Sequence, residues 1–182
     1  MTTETQPVVD ADTDDRVDEE PRLTAGQIWR ELGKASFAVL GHVTPDGEPR
    51  TSGVVFKAVE RRLYVVTAAD SWKAKQIARD GRVSVTVPVR RGGGLAFLVP
   101  IPPATISFQG AATVYPPGSA QAVAAYEQLG RLLPDAPRGA GAVIEIVPEG
   151  TFVTYGVGVS LGEMRDPASA RGRVPVGDEV RA

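Results

Sequence analysis

Along Arg82–Val89, Val83, Val85, Val87 and Val89 alternate with the polar Ser84 and Thr86. A period of two belongs to a strand buried on one face. Apolar runs bounded by turn residues predict further strands at Ser36–Val43, Pro49–Val59, Leu63–Thr67, Thr105–Tyr115, Ala142–Val147 and Thr151–Tyr155. Thr44-Pro-Asp-Gly47 joins the first two of these as a hairpin, because Pro45 presets φ and Gly47 tolerates φ > 0. Glu60-Arg61-Arg62 turns the chain into the next strand.

Helical signals are fewer. Thr24-Ala-Gly-Gln27 is a capping box ahead of Ile28, Trp29 and Leu32, and predicts a helix from about Ala25 to Leu32, stopped by Gly33. Ser71 caps a predicted helix over Trp72–Ala78, which Asp80-Gly81 ends. A third helix is expected from Ser119 to Leu133, with Val123, Tyr126, Leu129 and Leu133 on one face. About six short strands with hairpin turns and three peripheral helices predict a mainly β fold, a small barrel.

Length and charge set the domain organisation. A chain of 182 residues makes one domain with a self-sufficient core. Residues 1–20 carry eight acids (Glu4, Asp10, Asp12, Asp14, Asp15, Asp18, Glu19, Glu20) against Arg16, so residues 1–21 read as a disordered acidic tail. The folded domain is expected over residues 22–156, and the Gly-, Pro- and Arg-rich residues 157–182 as an extended C-terminal tail. Beyond the acidic segment lie 19 of the 20 bases and 14 of the 22 acids, a surplus of five positive charges. No basic run is interleaved with aromatics, which argues against nucleic acid. A phosphorylated small molecule suits this modest surplus better.

The absence of cysteine removes disulfides, thiolate catalysis and cysteine-ligated metals, and fits the cytoplasm. The first twenty residues lack the apolar core of a signal peptide. The longest apolar stretch, Leu95–Ile106, is broken by Pro100, Pro102 and Pro103 and is too short to span a bilayer, so no membrane association is expected.

Most candidate motifs lack their required context. Gly158-Val-Ser-Leu-Gly162 matches a nucleophile elbow, but that elbow needs a strand before it, a helix after it and a later histidine. The single histidine, His42, lies upstream, so a serine hydrolase is not expected. His42 has no cysteine or paired carboxylate nearby, which excludes a metal site of usual stoichiometry and leaves a half-buried strand residue. Gly92–Gly94 has no helix behind it and reads as a hairpin loop. One group differs. Ser71 and Lys73 flank a helix start, Thr67 ends the strand before it, and Lys57 lies on the neighbouring strand. Hydroxyls and ammonium groups gathered there suit a phosphate.

These residues resemble the flavin-binding split β-barrel family typified by pyridoxamine 5′-phosphate oxidase. The resemblance covers roughly Ser36 to Tyr155 and rests on the TPDGEP turn (Thr44–Pro49), GVVFK (Gly53–Lys57), LYVVTAADSWKAKQI (Leu63–Ile77) and FQGAA (Phe108–Ala112). It implies a six-stranded split barrel and a homodimer with FMN or the deazaflavin coenzyme F420 in grooves between the subunits. It also implies that Lys57, Ser71 and Lys73 contact the cofactor phosphate, and that Val66 and Thr67 contact the phosphate or ring.

The departures are specific. Ser52 stands where the oxidases have arginine, for which Arg50 substitutes. Trp72 replaces the arginine of Ser-Arg-Lys, Thr105 replaces a glutamine, and the C-terminal tryptophan and arginine pattern that holds pyridoxine phosphate is absent. The expected function is therefore a flavin- or deazaflavin-dependent oxidoreductase acting on a small molecule other than pyridoxamine phosphate. The alternative is a non-catalytic flavin or haem carrier, for which His42 is the one histidine available as axial ligand. A barrel that binds no cofactor is the third reading.

Overall fold

The computed structural model describes residues 23–90, 103–129 and 141–177. In chain order its elements are α1 (Ala25–Lys34), β1 (Phe37–Val43), β2 (Pro49–Val59), β3 (Arg62–Ala68), α2 (Trp72–Ile77), β4 (Arg82–Val89), β5 (Ala104–Tyr115), α3 (Ala120–Leu129), β6 (Gly141–Tyr155), α4 (Pro167–Ala170) and β7 (Arg171–Pro175). The strands are hydrogen-bonded in the order β3-β2-β1-β4-β5-β6-β7, every pair antiparallel. β3 also pairs with the first half of β6, from Leu63–Ile146 to Ala68–Gly141. The first six strands thus form a closed barrel, and β7 extends the sheet along the second half of β6. Closure removes the free strand edges that an open sheet would present.

Alternation fills the interior. Ala38 and Leu40, Val54 and Phe56, Leu63 and Val65, Val83, Val85 and Val87, Ile106 and Phe108, and Ile144, Ile146 and Phe152 are all buried. α1 covers one end with Ile28 and Leu32, both fully buried, and Trp29 meets Phe152 edge-on at 5.7 Å. Its capping box is present: Thr24 Oγ1 accepts from Gln27 N at 3.3 Å, and Thr24 N donates to Gln27 Oε1 at 2.7 Å. α2 packs on β1 and β5 at the other end through Ala74, Gln76 and Ile77. The turn at Thr44–Gly47 forms as predicted, with Gly47 at φ +85° and Gly47 N donating to Thr44 O at 2.9 Å.

Several expectations are corrected. The two strands expected at Ala142–Val147 and Thr151–Tyr155 are one strand, β6. Pro148-Glu-Gly150 reads as a break in the sequence, but Gly150 takes φ +69° and the register with β5 shifts between Ser107 and Gln109, so the strand bends without ending. On α3 the inward face is Ala122, Ala125 and Tyr126, while Val123 is 46% exposed. That helix lies on the outside of the barrel against Val143, Tyr64, Val66 and Tyr115, where small residues permit close approach.

The segment after residue 156, expected as an extended tail, folds back through α4 and β7 and buries Val157, Val159, Ala170 and Val174. Its apolar residues are too scattered among glycine, proline and arginine to show a period. Ser160 is not a nucleophile elbow. It exchanges hydrogen bonds with Glu163 (Ser160 N to Glu163 Oε2 2.6 Å, Glu163 N to Ser160 Oγ 3.2 Å), a reciprocal pair that leads into a single 3-10 turn over Glu163–Arg165. The expected disordered segment 1–21, the Gly92–Gly94 loop with most of its apolar sequel, and the end of the third helix at Leu133 lie outside the described residues.

Candidate functional site

β3 delivers Thr67 to the edge of the barrel, and the chain turns immediately into α2. Ser71 N donates to Ala68 O at 3.0 Å, which closes the turn, and Ser71 takes an extended N-cap conformation (φ −61°, ψ 148°). Its hydroxyl accepts from Ala74 N at 3.3 Å and lies 3.1 Å from Thr67 Oγ1. Lys73 reaches back and donates to Thr67 Oγ1 at 3.4 Å. Two hydroxyls and one ammonium group, all half-buried, therefore meet at one point. Such a group can donate three hydrogen bonds and one positive charge to an anion.

The backbone beneath this point is held from behind. Thr67 pairs with Ala142 of β6, and Gly141 N donates to the Tyr126 hydroxyl at 2.8 Å. A Cβ on Gly141 would collide with that hydroxyl and come within 2.8 Å of Thr67 O. The absence of a side chain there lets α3 and β3 approach each other.

Among the described residues no hydrogen bond joins the remaining expected residues to this centre. Lys57 is half-buried on β2, cross-strand from Tyr64, with no hydrogen bond or ion pair among the described residues. It and Val66 lie on the outer face of the barrel, and Val66 is packed against α3. Thr67, one residue on, turns the other way. Arg50 does not join the Thr67–Ser71–Lys73 group. It lies cross-strand from His42, is paired weakly with Glu48 at 3.8 Å, and lines a groove on another side of α2 with Trp72, Lys75, Gln76 and Arg79.

Two features were not visible in the sequence. His42 is buried, and its Nε2 donates to Gln76 Oε1 at 2.7 Å, which fastens α2 to β1. His42 Nδ1 and the Ser52 hydroxyl are buried without a hydrogen-bond partner among the described residues. The second is Glu145, buried on the outer face beneath Arg62, whose Nη1 donates to it at 2.5 Å. Burial, and then the Glu145 carboxylate, push the Tyr64 phenol above its ordinary range. Among the described residues no cluster of three His, Cys, Asp or Glu could hold a metal ion, and no helix is long and apolar enough to cross a membrane.

Comparison with known proteins adds the family. A family model described as pyridoxamine 5′-phosphate oxidase matches residues 26–154. None of the curated proteins matches the chain in sequence. Among solved structures, a FAD-binding protein from Mesorhizobium loti superposes with a TM-score of 0.55 at 19% identity, covering 70% of this chain and 91% of that one. HutZ, the haem storage protein of Vibrio cholerae, gives 0.53 at 14% identity over 70% and 92%. An F420 reductase gives 0.51 at 18% identity over 68% and 93%. At these identities the likeness is one of fold. The barrel closed by β3 on β6 and the match across 26–154 lead to one conclusion: the chain belongs to the pyridoxamine 5′-phosphate oxidase family.

Proposed function

We propose that the protein is an oxidoreductase that binds a flavin or the deazaflavin coenzyme F420 and acts on a small molecule other than pyridoxamine phosphate. The observation that carries this reading is the Thr67–Ser71–Lys73 contact at the start of α2, where two hydroxyls and an ammonium group meet. Lys73 and the two hydroxyls hold the cofactor phosphate, Lys57 supplies a second positive charge, and Val66 borders the ring. Bound there, the cofactor would supply hydride transfer, and the protein's part is to bind, orient and exclude water. Ser52 and Trp72 replace the two arginines of the oxidases, which is why another substrate is assigned.

The active form is proposed to be a cytoplasmic homodimer with the cofactor between the subunits. Supporting this, the outer face of β1 and β2 beside Lys57 is apolar and open: Phe37 opposite Val55, and Val39 opposite Gly53, with Phe37, Val39 and Val55 all exposed. A haem carrier is the weaker reading, because the only histidine is enclosed and its Nε2 is bound to Gln76.

An absorbance spectrum of the purified protein, followed by titration with FMN, FAD and coenzyme F420, tests the reading. Saturable binding of one of them is expected; binding of haem alone would overturn it. Turnover of quinones or unsaturated carbonyls with the reduced cofactor then distinguishes an enzyme from a carrier.

A further inference from the structure

Trp72, Lys75, Gln76 and Arg79 recur at i, i+3, i+4 and i+7 and so share one side of α2 and its continuation. With Arg50 they form one wall of a cavity of about 320 Å³, and the β1–β2 hairpin, carrying Asp46 and Glu48, forms the other. Trp72 is 79% exposed, more than any other large apolar side chain among the described residues, so its ring is open to stacking. Lys75 and Arg79 are exposed too, and neither has an ion-pair partner among the described residues. Arg50 has only Glu48, at 3.8 Å. Gln76, by contrast, is buried and held by the hydrogen bond to His42, which gives the groove a fixed polar floor.

This mixture selects its ligand by exclusion. A purely apolar molecule would cover three cations without pairing them, which is costly. A polyanion would meet Asp46 and Glu48, and a cation would meet Arg50, Lys75 and Arg79. What remains is a planar ring that carries one anionic group and neutral hydrogen-bond donors. A nucleoside monophosphate has those parts. Its base stacks on the indole, its phosphate takes charged hydrogen bonds from lysine and arginine, and the carboxylates accept from ribose hydroxyls and an exocyclic amine. The cavity is at the small end of ligand clefts and suits a single nucleotide.

We propose that this groove binds a free purine nucleoside monophosphate, with the base on Trp72 and the phosphate at Lys75 and Arg79. It shares no residue with the Thr67–Ser71–Lys73 contact, and the inference does not depend on the flavin reading.

Calorimetric titration of the full chain with AMP, GMP and adenosine tests it, using the wild type, Trp72→Ala, Lys75→Ala and Lys73→Ala, each checked for fold by circular dichroism. Saturable binding of AMP or GMP is expected, and adenosine, which lacks the phosphate, should bind about tenfold more weakly than AMP. Trp72→Ala is expected to weaken the nucleotide by about fivefold or more, as the loss of a stacked base does. Lys75→Ala should weaken AMP by about tenfold and leave adenosine within about twofold. No saturable binding of either nucleotide, or an affinity indifferent to Trp72→Ala, overturns the proposal. If Lys73→Ala weakens AMP as much as Lys75→Ala does, the phosphate sits at the Thr67 point and the groove assignment falls, with the anion site left standing. A wild type that sediments as a dimer beside a monomeric Trp72→Ala also overturns it, because a second copy then covers the ring.

Discussion

His42 and Gln76 are joined by a 2.7 Å hydrogen bond between a strand and a helix 34 residues apart, and both side chains are buried. This contact sets where α2 sits, and α2 carries Ser71 and Lys73 on its first turn. Replacing Gln76 by Ala strands the imidazole without its side-chain partner, since Nδ1 already has none among the described residues. The expected cost is about 1–3 kcal/mol of folding stability, the usual penalty for a buried polar group left unpaired. Urea denaturation measures that loss, and cofactor titration should show weaker binding because α2 is no longer fixed.

Lys73→Ala removes the ammonium group from the Thr67–Ser71 pair. Cofactor affinity is expected to fall by about 1.5–3 kcal/mol, the range for a charged hydrogen bond, with little change in thermal stability. Calorimetric titration beside a melting curve separates the two. Unchanged affinity would mean that Lys73 serves only the surface.

Gly141→Ala places a methyl group against the Tyr126 hydroxyl and within 2.8 Å of Thr67 O. Backbone atoms on one side leave little room to yield. A loss of about 1–3 kcal/mol is expected from overpacking, together with weakened cofactor binding as Thr67 shifts. Denaturation and titration of the same variant give both readings.

Much of this was legible where the signal is local. The bounds of β4 follow from its apolar alternation and those of β2 from the turns on either side of it, and Ser71, Thr67 and Lys73 fall within seven consecutive residues, so a helix start implies their proximity. What could not be read depends on distant partners. Gln76 looks like an ordinary surface residue until His42 is brought beneath it. β6 looks like two strands because a bulge and a break share the same proline and glycine punctuation. The inward face of α3 is set by alanines, which carry too little hydrophobic contrast to mark a side, and Val123 misleads.

Asp80 is held down to about 2 by hydrogen bonds from the Arg82 side chain and backbone N–H. A depressed carboxylate contributes stability that is fully present above its unfolded value, near 4, and is lost as pH falls through about 2. Arg82→Ala should therefore differ most from the wild type above pH 4 and converge with it near pH 2. Chemical-shift titration of the Asp80 carboxyl should show its midpoint rising toward the ordinary range in the variant.

Glu60 and Arg61 both have positive φ, 49° and 60°, in the two-residue turn between β2 and β3. That turn favours asparagine and glycine, since other side chains crowd the backbone there. Glu60→Asn is expected to stabilise the protein by roughly 0.5–1 kcal/mol through relief of that crowding. A higher urea midpoint with an unchanged slope would verify it.

The pairing of β3 with β6 also fixes a timetable. Thr67 finds its partner in Ala142, 75 residues further along the chain. A ribosome that has already released Lys57, Ser71 and Lys73 has produced every residue proposed to contact the phosphate, yet β3 is still a bare edge. Contacts across such a separation form late and slowly. Capture of the proposed cofactor during synthesis would therefore wait for the C-terminal strands, and a chain stopped short of residue 141 exposes the strand edge that the finished barrel conceals.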